Sequence, residues 1–63
     1  MKGRKMFTLY VQNSRGVWEK GGLFILDDES IKTAVEYGKT FKCYYLRPDT
    51  YKAKVYLDRL GLL

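Results

Sequence analysis

Asp27 is the residue around which the rest of this sequence can be placed. Its carboxylate can accept the free N–H groups of a first helical turn, and Asp28 and Glu29 then set negative charge at the positive end of the helix dipole. Leu26 before that cap and Ile31 after it have the spacing of a hydrophobic staple. Ile31, Ala34 and Val35 recur at i, i+3 and i+4, while Lys32, Thr33, Glu36 and Lys39 fall elsewhere. The pattern predicts a helix over 28–37 with one narrow apolar stripe that needs a sheet to cover it. Gly38 has the position of a C′ stop.

Size restricts what can surround that helix. With 63 residues the chain makes one small domain, 1–63, and folding buries only about 60% of the surface its unfolded form exposes. Support from cross-links is ruled out: Cys43 is the only cysteine, and the chain has no histidine to build a Cys/His metal site. No metal or cofactor is therefore expected. What remains is a well-filled core or a second copy of the chain, and the six tyrosines, three phenylalanines and Trp18 supply large rings for either. A homodimer is the expectation.

The strands follow from alternation. Lys2, Arg4 and Lys5 make residues 1–5 read as a flexible basic arm. From Met6 to Gln12, Phe7, Leu9 and Val11 fall on one side and Met6, Thr8, Tyr10 and Gln12 on the other. Asn13, Ser14, Arg15 and Gly16 are turn formers, so Val17 starts an antiparallel partner strand, with Val11 opposite Trp18. Gly21 and Gly22 interrupt that strand and mark a bulge or sharp twist. They lack the Gly-Lys-Ser/Thr continuation of a phosphate loop. After the helix, Thr40 to Leu46 alternates again, with Phe41, Cys43 and Tyr45 expected on the helix side and Lys42, Tyr44 and Leu46 on the other. Cys43 is then a small buried residue. Arg47 and Pro48 end the strand.

Residues 51–58 fit two periods. Tyr51, Ala53, Val55 and Leu57 alternate as a strand would, yet Ala53, Tyr56, Leu57 and Leu60 also fit a helix. Caps favour the helix, with Asp49 or Thr50 at its start and Gly61 between leucines at its end. The expected fold is α+β in the order ββαβα, a small mainly antiparallel sheet with helix packed on one face, with ββαββ as the alternative.

The available chemistry points away from catalysis. Without histidine, and with three of the seven carboxylates gathered at a helix start, a general acid/base constellation is hard to assemble. No apolar run approaches the roughly 20 residues that span a bilayer. With an unpaired cysteine, the expected setting is cytoplasmic, away from membranes. Two surfaces could bind. An uncovered sheet face carrying rings suits a protein partner, with Tyr10, Trp18, Tyr44 and Arg47 as anchors. A net charge of +5 also permits DNA or RNA, held through Lys2, Arg4, Lys5, Lys42, Lys52 and Lys54.

The order hairpin, Asp-capped helix, strand ending in Arg47 and Pro48 resembles, in architecture alone, the short host-takeover and counter-defence proteins of bacteriophages. That resemblance covers residues 6–48 and implies a small non-enzymatic inhibitor of a host enzyme or defence system. It transfers no residue roles.

Overall fold

A computed structural model describes residues 5–63, so Lys2, Arg4 and most of the basic arm lie outside the described residues. The elements run β1 (Met6–Gln12), β2 (Trp18–Ile25), α1 (Asp28–Gly38), β3 (Cys43–Pro48) and α2 (Tyr51–Arg59). The fold is α+β with the order ββαβα. Its antiparallel sheet has the order β2-β1-β3, so the first strand lies in the middle.

β1 takes the central place because three of its residues, Phe7, Leu9 and Val11, are almost wholly buried, as a strand covered by helices requires. Phe24 stacks on Phe7 from β2, and Leu46 meets Leu9 from β3. From above, Ile31 and Ala34 of α1 and Leu57 of α2 complete the same cluster, with Leu26, Val35 and Phe41 partly buried around it. Both helices thus lie on one face of the sheet.

The caps form as their chemistry dictates. Asp27 accepts a hydrogen bond from Ser30 N at 2.7 Å, and Thr50 accepts one from Ala53 N at 3.1 Å, which settles residues 51–59 as helix. α2 ends in a Schellman motif: Leu62 N donates to Leu57 O and Gly61 N to Asp58 O. Gly61 takes φ +76°, a conformation costly for a residue with a Cβ, and so turns Leu62 back onto the core.

Three expectations need correction. Gly38 is not a left-handed C′ residue; it is the last helical residue, and Lys39 caps α1 with right-handed φ −67°. The chain keeps turning after it, because Thr40 N and Phe41 N donate to Tyr37 O and Gly38 O. The third strand is therefore delayed to Cys43, and its sides are the reverse of those expected: Tyr44 and Leu46 face the helices, while Cys43 and Tyr45 are exposed. Finally, Trp18 pairs with Gln12 rather than Val11. Asn13 explains this, since its side-chain oxygen accepts from both Arg15 N and Val17 N and draws Val17 into the turn.

Candidate functional site

The helices leave the other face of the sheet uncovered. Residues directly opposite one another in an antiparallel ladder share a face, so the register names its members. Tyr10 lies between Lys20 of β2 and Tyr45 of β3, Gln12 between Trp18 and Cys43, Thr8 between Leu23 and Arg47, and Met6 beside Ile25.

The bulge decides which residues of β2 appear there. Leu9 pairs with Gly22 but Tyr10 pairs with Lys20, leaving Gly21 as the extra residue. A ladder without that extra residue would bring odd-numbered Gly21 and Glu19 beside Leu23. Because the phase shifts by one, even-numbered Lys20 and Trp18 reach the open face. Gly21 suits the position because an added Cβ would lie 3.1 Å from Cγ and Cδ2 of Leu9 and 3.3 Å from its carbonyl oxygen.

At the end of the face nearest the hairpin turn, three rings meet. Tyr10 and Tyr45 stack with centroids 5.2 Å apart and planes 18° apart, and Trp18 approaches Tyr45 at 5.1 Å and 68°. Tyr45 is therefore the middle ring. The cluster is not a buried mini-core: Trp18 and Tyr45 each keep 46% of their surface open. Leu23 on the same face is 51% exposed. Near-parallel rings at 5.2 Å make the offset-stacked arrangement that aromatic pairs favour.

The turn that carries this end is held by side chains. Gln12 Nε2 donates to Gly16 O at 2.9 Å, and Asn13 Nδ2 donates to Glu19 Oε2 at 2.7 Å. Glu19 lies on the opposite side of β2 from Trp18, which keeps its charge off the ring cluster.

Of the anchors proposed from sequence, Tyr10, Trp18 and Arg47 come together on this face. Tyr44 does not: it packs against the core beneath the last turn of α1. Tyr45 stands in its place, and sequence reasoning missed it by reading β3 in the wrong phase. The basic residues do not converge in the same way. Lys42 precedes β3, Lys52 and Lys54 lie on α2 in the helix layer, and Lys5 precedes β1. Among the described residues, no three His, Cys, Asp or Glu side chains gather where a metal ion could sit, and no helix is long and apolar enough to cross a membrane.

Comparison with family profiles, characterised proteins and solved structures finds no match for this chain.

Proposed function

We propose that this protein is a non-catalytic binding module that docks a protein partner through its open sheet face. The observation that carries this reading is the cluster of half-exposed Trp18 and Tyr45 with partly buried Tyr10, flanked by Leu23 and Arg47. Tryptophan, tyrosine and arginine dominate the centres of protein interfaces because they desolvate large area while keeping a polar tip. Here the rings are already held by one another and by the sheet, so little side-chain entropy is lost when a partner covers them.

Such a module needs no chemistry of its own. It would inhibit a host enzyme or defence protein by occluding a surface, as the short phage proteins it resembles in architecture do. An exposed free thiol at Cys43 suits a reducing compartment such as the cytoplasm. DNA or RNA is the weaker reading. Among the described residues its candidate lysines stand on separate elements away from the ring cluster, with Lys5 before β1, Lys42 before β3, and Lys52 and Lys54 on α2.

The test is capture of a partner from nuclease-treated lysate on immobilised protein. A protein should be retained by wild type and by Lys52→Ala, and lost with Trp18→Ala or Tyr45→Ala. Capture that disappears on nuclease treatment would overturn the reading.

A further inference from the structure

We infer that the partner surface seated on this face is acidic, with carboxylates straddling an apolar or aromatic anchor; this deepens the protein-binding reading and rests on it. The inference starts from the distribution of charge. Lys20 lies beside Tyr10 on one outer strand, and Arg47 lies beside Thr8 on the other. Both are exposed, and they bracket the rings and Leu23 from opposite edges of the face. One carboxylate lies at the margin of that face: Asp49 N donates to Met6 O, which sets Asp49 opposite Met6 at the end away from the rings. The other six acids lie elsewhere: Glu19 points to the helix side and is bound by Asn13, and the rest belong to the helix layer.

A partner that covers the rings removes water from around both cations. Each then needs a counter-charge, and this chain sets none beside Lys20 or among the rings. Carboxylates on the partner provide it, and they would also steer the encounter. A second copy of the chain supplies too few through the same surface. A two-fold dimer would bring two lysines and two arginines into one interface against only the two Asp49 carboxylates at its margins. Phosphates carry the right charge, but two cations neutralise too few of them to hold a nucleic-acid backbone tightly.

Trp18 is the only tryptophan in the chain, so its fluorescence reports on this site alone. The probes are a synthetic peptide alternating Glu with Phe and Leu, its counterpart with Gln for every Glu, and oligothymidylate. Saturable change of Trp18 emission is expected with the Glu peptide, together with binding several-fold weaker for the Gln peptide. Lys20→Gln and Arg47→Gln should each weaken the Glu peptide roughly two- to fivefold, as partly exposed ion pairs do, without lowering the melting temperature. Equal binding of the two peptides overturns the inference. So does silence towards both, tighter binding of oligothymidylate, or a dimer in sedimentation that Trp18→Ala abolishes. If Gln binds as well as Glu while nuclease-resistant capture still depends on Trp18, the acidic partner falls and the protein interface stands. If capture needs nucleic acid, both fall.

Discussion

A Cβ added to Gly38 would lie 2.7 Å from Cγ of Tyr44, 2.8 Å from its Cδ2 and 3.0 Å from its Cβ. The last turn of α1 therefore rests on the base of the Tyr44 side chain, where relief of an overlap would have to swing the ring out of its packing against the core. Alanine is intrinsically better than glycine in a helix by about 1 kcal/mol, yet overpacking a filled site costs about 1–3 kcal/mol. Gly38→Ala should consequently lower stability. In a Tyr44→Ala background most of that loss should vanish, because Cγ and Cδ2 are gone. Denaturant unfolding of the four members of this cycle measures the coupling; strictly additive losses would show that the two residues do not touch.

The phase of β3 can be tested with one pair of substitutions. Leu46 is 2% exposed and lies beneath the helices, so Leu46→Asp buries a carboxylate without a partner and should unfold the protein. Tyr45→Asp gives up two ring contacts worth about 0.5–1.5 kcal/mol each and should leave a folded chain. Near-ultraviolet circular dichroism distinguishes the outcomes. A folded Leu46→Asp with an unfolded Tyr45→Asp would restore the opposite phase.

Gly21 is a positioning residue for the ring cluster. Gly21→Ala pushes a methyl group against Leu9 at the centre of the sheet, and about 1–2 kcal/mol of stability should be lost. Because the bulge sets the phase of β2, the same change should also shift the emission of Trp18 in protein that is still folded. A stability loss with an unaltered Trp18 spectrum would mean that the bulge does not orient that residue.

At alkaline pH the link between the two helices should weaken. Tyr56 of α2 donates its hydroxyl hydrogen bond to Asp28 Oδ1 at the start of α1. That bond, with the nearby carboxylates, raises the Tyr56 pKa above its ordinary 10.0 by favouring the protonated phenol. The folded state thus holds this proton more tightly than the unfolded chain. The contribution is complete below pH 10.0 and is lost as pH climbs through the raised value. Melting curves on either side of pH 10.0 should show Tyr56→Phe less sensitive to alkali than wild type. Parallel curves would remove the bond from consideration.

Much of this architecture was legible because it rests on local chemistry. Asp27 and Thr50 cap their helices through neighbours three residues away, and the glycine pair in β2 does form a bulge. The phase of β3 was not local. Thr40 to Leu46 carries apolar residues at both odd and even positions, and the choice was made by the late ending of α1 and by Leu9 opposite Leu46. One signal could have decided it: Arg47 shares the parity of Tyr45, so burying the ring would have drawn a guanidinium under the helices. Trp18 was paired one residue out of register, since the reach of the Asn13 side chain into the turn is not visible in the alternation of apolar residues.

With β1 in the middle of the sheet, the strand that is synthesised first is completed last. Its pairing with β2 closes through a short turn, on the microsecond scale of a hairpin. Its other edge must wait for β3, across the whole of α1, and that long closure raises the contact order and slows folding. A nascent chain that has emerged only as far as Lys42 would present Phe7, Leu9 and Val11 along an unsatisfied backbone edge. Until Leu46 arrives, that edge is open to pairing with a neighbouring chain.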